Sequence, residues 1–371
     1  MVKNSRAEIR VPDQKSASDR RLQFLDVTRG IAALAVVLEH GSEHFFPGYL
    51  KAANSYFTLG VFGVSTFFLV SGFIIPVSIE RHGSLSSFWQ ARFFRLYPMY
   101  WFSIFAGLAF GLLVSADSLS VFGGHPLRGI LANVTMFQTF LGVPNFSGLY
   151  WTLTMEMIFY LMCSVLFLAG LLSRSLVWVW VASFANLAAT AGLGLFFHRS
   201  LPAGRTALII SAFFGTLLYR HYRGSMGIKA ILGVAPILAL SLLCGFWFRF
   251  HQFPTSDKDE AFRFVAVSLS YLGAYSLFAI LYWQRQRTFP VPLLWLGRIS
   301  YSLYLMHGFA LFAVPAGEYP LIRLSLGVAA AIIIASATFV LIERPALALH
   351  RRLSRPETQV ALSARVMSAT S

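Results

Sequence analysis

Arg29 and His40 stand eleven residues apart in the apolar segment RGIAALAVVLEH. On an α-helix eleven residues turn through about 1100°, within about 20° of three full turns, and rise about 16 Å, so the two side chains share one face. The pair sets a guanidinium, a group suited to holding anions, near one membrane surface, and an imidazole, a group that moves protons near neutral pH, close to mid-bilayer. Ionisable groups at that depth are costly in hydrocarbon and are read first as functional.

Three further constellations carry polar chemistry on apolar segments. In ARFFRLYPMYW, Arg92 and Arg95 lie three residues apart and share a helical face, where two guanidinium forks can grip phosphate oxygens. The same pair also fits simple anchoring to lipid phosphates. In WTLTMEMIFY, Glu156 has Thr152 and Tyr160 one turn to either side on its own face, and a carboxylate within the membrane must be protonated, paired or wet. In GRISYSLYLMHGF, Ser300, Tyr304 and His307 follow an i, i+4, i+7 stripe where apolar residues are expected. A packed histidine bonded to a neighbouring Ser or Tyr is the plainer account of His307. Counted from the outer ends of their helices, His40, Glu156 and His307 fall within roughly 3 Å in depth, so the three are expected to be able to meet. Glu43 and His44 follow His40 closely, which also fits a helix emerging early into a polar loop.

The elements that position these groups follow from composition. The 371 residues are 57% hydrophobic and only 12% charged, with 36 phenylalanines, more apolar material than a soluble domain uses. Runs long enough to cross about 30 Å of hydrocarbon fall at roughly 27–46, 58–79, 97–115, 150–171, 176–196, 204–219, 228–248, 262–283, 293–314 and 322–342. The fold class is therefore all-α, a polytopic membrane bundle of about ten helices spanning 21–350. The stretch 129–143 is shorter and carries Asn133 and Gln138, so it reads as a re-entrant or surface segment. Ten crossings gather Arg20, Arg21, Arg81, Arg92, Arg95, Arg220, Arg223, Arg285, Arg287, Arg351 and Arg352 on the side of both termini, which the positive-inside rule makes cytoplasmic. The predicted location is the inner cell membrane. The net charge of +15 then reflects juxtamembrane arginines facing anionic lipid, not nucleic-acid binding. Residues 1–20 and 351–371 read as cytoplasmic tails, and neither as a cleavable signal. Cys163 and Cys244 have no paired or metal-like spacing and read as packing residues; no metal site is expected. No phosphate-loop or dinucleotide glycine pattern supports a nucleotide-powered mechanism.

Taken together these motifs resemble the acyltransferase 3 family of integral membrane O-acyltransferases. The resemblance covers roughly residues 22–346. It rests on FLDVTRGIAALAVVLEH with its Arg-x10-His spacing, FGVSTFFLVSGFII at 62–75, and RFFRLYP with Arg-x-x-Arg at 92 and 95. WTLTMEMIFY, RISYSLYLMH and the closing IERP at 342–345 complete it. Many relatives carry Asp where this chain has Ser65, so a role for that acid does not transfer. The resemblance implies transfer of an acyl group, usually acetyl, from cytoplasmic acyl-coenzyme A to a hydroxyl of a carbohydrate or a small secondary metabolite. Acyl-coenzyme A is then a co-substrate, with no tightly bound cofactor. Arg29, Arg92 and Arg95 would face its phosphates, and its arm would carry the thioester towards His40. A hydroxyl needs a general base to attack a thioester, and a histidine with a pKa of about 6.5 suits the task. The expected roles are His40 as base, Glu156 as its orienting or auxiliary acid, and Tyr304 or His307 as donor to the oxyanion. The competing class is a transporter or flippase of an anionic lipid-linked sugar, with the arginines as its path and His40 with Glu156 as a proton relay. Paired broken helices in two similar halves would favour it, and the sequence displays none.

Overall fold

The computed structural model describes residues 14–114, 120–254 and 263–354, with side chains from 23 onward in the first helix and to 111 in the fourth. The expected tails fall largely outside these residues. The described part is helical throughout, with no strand among the described residues. Its helices are α1 (Gln14–Phe45), α2 (Tyr49–Tyr56), α3 (Leu59–His82), α4 (Leu85–Val114), α5 (Pro126–Val134), α6 (Tyr150–Leu168) and α7 (Ser175–Phe197). They continue as α8 (Ala203–Tyr222), α9 (Ile228–Trp247), α10 (Phe264–Trp283), α11 (Val291–Arg298), α12 (Ser300–Phe312), α13 (Pro320–Thr338) and α14 (Arg344–Leu353).

Among the described residues six helical stretches are long and apolar enough to cross a bilayer: Leu59–His82, Tyr150–Leu168, Ser175–Phe197, Ile228–Gln252, Phe264–Trp283 and Pro320–Leu353. The protein is thus a multi-pass membrane protein. The remaining expected spans also fall on helices, but α1, α4 and α8 carry charged residues and α12 has only thirteen. Polar side chains needed by a site lower the apolarity of the helices that carry them. Two boundaries move. Helix α1 starts at Gln14, inside the stretch expected as tail, because nothing in QKSASDRR breaks a helix. Helix α4 starts at Leu85, so Arg92 and Arg95 lie on it and not ahead of it.

Helix α3 is the hub, packed on α1, α8 and α10, whereas α7 and α13 turn large apolar side chains such as Phe184 and Ile333 outward. The crossing of α3 with α8 depends on Gly72, where a Cβ would stand 1.7 Å from the Ala212 carbonyl oxygen. Close backbone approach through small residues is how membrane helices gain contact without a hydrophobic drive. The run expected as one helix at 293–314 breaks at Ile299 into α11 and α12. Next to that break Gly297 lets the α1 backbone come in, a Cβ there lying 2.1 Å from the Asp26 oxygen.

The 129–143 stretch begins inside the nine-residue α5, about 13 Å long, and continues as turns. That is too short to span. Its terminal carbonyls are satisfied by aromatic side chains of α4: Tyr100 donates to Asn133 O at 2.7 Å, Trp101 to Val134 O at 3.0 Å and Tyr97 to Thr135 O at 3.0 Å. Asn133 donates to Gly129 O and Pro144 O and accepts from Phe146 N–H, while Gln138 donates to Asn145. Both polar residues therefore fold the following loop back on the bundle.

Candidate functional site

Two cavities meet inside the bundle. The inner one, about 260 Å³, is lined by Arg29, Arg92, Arg95, Ser71, Glu156, Tyr160, Ser300 and Tyr301 among others. The outer one, about 750 Å³, is lined by His40, Glu39, Glu43, Ser65, Asn145, Trp151, Arg205, Arg249 and Tyr271 among others. Val64, Thr152 and Tyr304 line both. The hydroxyls of Thr152 and Tyr304 lie 2.7 Å apart, so this pair forms the partition between the two spaces.

Helix α1 spans both cavities. Its single register carries Arg29 to the inner one and His40 to the outer one, as the shared helical face requires. The His40 Nδ1 lies 2.8 Å from Glu43 Oε2. A carboxylate only accepts, so Nδ1 donates in this contact, and Nε2 is the ring nitrogen left to take or give a proton. The His307 ring stacks on His40 with centroids 5.4 Å apart and an interplanar angle of 13°. His307 Nδ1 donates to the Tyr304 carbonyl at 2.8 Å and to that of Leu303 at 3.2 Å. His307 is only 1% exposed, whereas the His40 side chain is 39% exposed and lines the outer cavity. Of the two rings only His40 lines one of these cavities, and His307 packs against it.

Glu156 does not join the histidines. Its Oε1 accepts from Tyr160 at 2.6 Å and from Ser71 at 3.2 Å, and it lines the inner cavity. The reason is height. The Thr152–Tyr304 bond levels α6 against α12, which run in opposite directions through the cavities. From that level His307 stands three residues up and Glu156 four residues down, a separation of about 10 Å along the helix axes. The outer ends of the helices are not level, so depth counted from them misleads.

The arginines do converge. Arg92 and Arg95 share one face of α4, and with Arg29 they line the inner cavity. Arg95 forms a close ion pair with Glu343, whose other oxygen accepts from Ser302 at 2.8 Å. Glu343 closes a π-helical turn, Phe339–Glu343, and is 1% exposed. Such turns re-aim a side chain that a regular helix would present elsewhere. Arg92 Nε and Ser300 Oγ are buried in this cavity without a hydrogen-bond partner, among the described residues, which marks the space as shaped for a polar occupant.

Residues beyond the expected set complete the outer cavity. Glu43 was legible as an i+3 neighbour of His40 but also fitted an exposed helix end. Glu39, 4% exposed, accepts from the Tyr49 hydroxyl at 2.7 Å and from Leu59 N–H at 3.0 Å, capping the start of α3. Burial and the nearby Glu39 carboxylate push the Tyr49 hydroxyl above its ordinary pKa, so it stays a donor. No local spacing signals that cap, because Glu39 and Leu59 lie on different helices. Among the described residues no cluster of His, Cys, Asp and Glu has a metal-binding arrangement.

A family model described as an acyltransferase domain matches residues 22–342. Acyltransferase MdmB of Streptomyces mycarofaciens is 31% identical over 149 residues, 38% of each chain. Nodulation protein 10 of Rhizobium leguminosarum bv. viciae is 29% identical over 174 residues, 40% of this chain and 45% of its own length. Peptidoglycan O-acetyltransferase OatA of Listeria monocytogenes is 25% identical over 376 residues, 88% of this chain and 56% of its own. The chain thus spans about two fifths to just over half of the length of these relatives. No solved structure matches it. Since the family model covers nearly the whole described bundle, the chain belongs to the acyltransferase 3 family.

Proposed function

We propose that the protein is an O-acyltransferase of the inner cell membrane, with ten crossings and both termini in the cytoplasm. It moves an acyl group, acetyl in the simplest case, from cytoplasmic acyl-coenzyme A to a hydroxyl of a carbohydrate or a small secondary metabolite. The observation that carries this reading is the pair of cavities meeting at Thr152 and Tyr304, one lined by Arg29, Arg92 and Arg95 and the other by the His40 imidazole, with Arg205 and Arg249 also on its wall. OatA is by name an O-acetyltransferase and MdmB an acyltransferase, which supports the reaction class.

In this reading the donor's phosphates lie at the arginine end, against Arg29, Arg92 and Arg95, and its arm passes through the inner cavity. The thioester reaches the partition, and the acceptor hydroxyl enters from the outer cavity. The hydroxyl oxygen attacks the thioester carbon as His40 Nε2 takes its proton, and Glu43 steadies the resulting imidazolium. The Tyr304 hydroxyl, which otherwise donates to the Leu149 carbonyl beside Thr152, turns to donate to the oxyanion. The carbon–sulfur bond then breaks, and the thiolate leaves with the proton returned from His40.

The test is purified protein in detergent given acyl-labelled acetyl-coenzyme A and a panel of glycans and hydroxylated metabolites. Label in an acceptor with stoichiometric release of coenzyme A supports the proposal. Labelled donor or lipid-linked sugar crossing a vesicle without consumption would instead favour the transporter. Two variants divide the labour. Arg92→Ala is expected to raise the donor KM about 10- to 100-fold, the worth of a charged hydrogen bond, with kcat little changed. Glu43→Gln is expected to lower kcat about 10- to 100-fold at unchanged donor KM, since Nδ1 loses its carboxylate. A Glu43→Gln enzyme with wild-type kcat would remove Glu43 from the mechanism.

A further inference from the structure

Glu156 is unexplained by the mechanism above. It sits among three arginines, yet among the described residues it forms no ion pair with any of them. Both hydrogen bonds that hold it fall on Oε1, from Tyr160 and Ser71, and they aim a carboxylate that lines the inner cavity. Helix α6 forms one wall as a ladder. Tyr160 lies at the arginine end, Glu156 one turn on, and Thr152 a further turn on at the partition, with about 6 Å between rungs. Any ligand with its anionic end at Arg92 and its reactive end at the partition must pass Glu156.

A carboxylate at that height repels phosphate and accepts only from N–H or O–H. The wall also carries apolar Phe67, Phe68 and Ile74, and the hydroxyls next to Glu156, those of Ser71 and Tyr160, already donate to its Oε1, so Glu156 is the charged acceptor at this height for a polar group of the ligand. We propose that Glu156 binds the neutral arm of the donor by accepting a hydrogen bond from an amide N–H on its free carboxylate oxygen. It is thus a ligand-binding residue, and not an acid in the transfer step. This rests on the acyl-coenzyme A reading of the inner cavity. The rival account makes Glu156 a mere counter-charge to the arginines, and the two predict opposite signs.

The experiment measures equilibrium binding of coenzyme A and of adenosine 3′,5′-bisphosphate, which has phosphates but no amide arm, to wild-type and Glu156→Gln protein in detergent. The proposal expects the Kd of coenzyme A to rise about tenfold, the difference between a charged and a neutral acceptor, while the bisphosphate binds as well or better. If the two ligands tighten together, or neither changes, Glu156 is a counter-charge or a bystander and the proposal is overturned. A loss of kcat at unchanged coenzyme A affinity overturns it too, in favour of an acid role. Should Glu156→Gln fold poorly, wild-type protein tested with a coenzyme A analogue N-methylated on its amides gives the same reading: weaker binding supports the proposal and equal binding overturns it. Wild-type protein that binds neither coenzyme A nor the bisphosphate would overturn the acyl-coenzyme A reading itself, a result separable from all the others.

Discussion

Replacing His40 by alanine is expected to lower acyl transfer by about 10²- to 10⁴-fold, the usual contribution of a positioned general base, while the Kd of coenzyme A stays within about twofold of wild type. The separation of effects follows from the architecture. His40 lines the outer cavity, and the arginines line the inner one about 16 Å away along α1. The outcome also distinguishes the two imidazoles. His307→Ala removes a stacked ring that is 1% exposed and lines neither of the two cavities, so it is expected to cost less than His40→Ala through loss of ring orientation. Equal rates for wild type and His40→Ala, in protein shown folded by its melting curve, would sink the base assignment. A larger loss from His307→Ala than from His40→Ala would reverse the roles of the two rings.

What the sequence makes legible here is local. Apolar runs locate the helices, because a bilayer demands about 20 apolar residues wherever the backbone must satisfy itself. The Arg29–His40 spacing places two groups on one face because helix geometry fixes it within a single element. The 92–95 pair follows for the same reason. The misplaced depth of Glu156 is a tertiary matter: α6 slides along its axis against α12 until Thr152 meets Tyr304, and no periodicity records that slide. Asn133 and Gln138 signalled that their segment does not span. Their partners, a loop at 144–146 and aromatic residues on α4, could not be read from spacing. Glu343 is hidden for a third reason. A π turn ahead of Arg344 rotates its side chain inward, so that a residue at the foot of an apolar helix, where a surface position is expected, becomes buried.

That burial makes Glu343 a position where a single substitution should cost much stability. Its carboxylate is held by Arg95 and by the Ser302 hydroxyl, with no solvent reaching its side chain, while that of Arg95 is 19% exposed. Removing one member of a buried pair leaves the other charge without compensation, a cost of about 3–5 kcal/mol. Glu343→Ala is therefore expected to lower the melting temperature markedly or to prevent accumulation of folded protein, whatever its effect on catalysis. The double variant Arg95→Met/Glu343→Leu replaces the pair with apolar groups of similar volume and is expected to recover most of that stability. It should not recover donor binding, because Arg95 also lines the inner cavity. The contrast separates scaffold from site on one side chain: Arg95 joins α4 to the turn after α13 through Glu343, and the same guanidinium faces the space assigned to the donor. A double variant as unstable as Glu343→Ala would show that apolar side chains cannot replace the pair and that its polar contacts hold this junction. A double variant restored in both stability and donor affinity would remove Arg95 from the donor site and leave Arg29 and Arg92 to hold the phosphates.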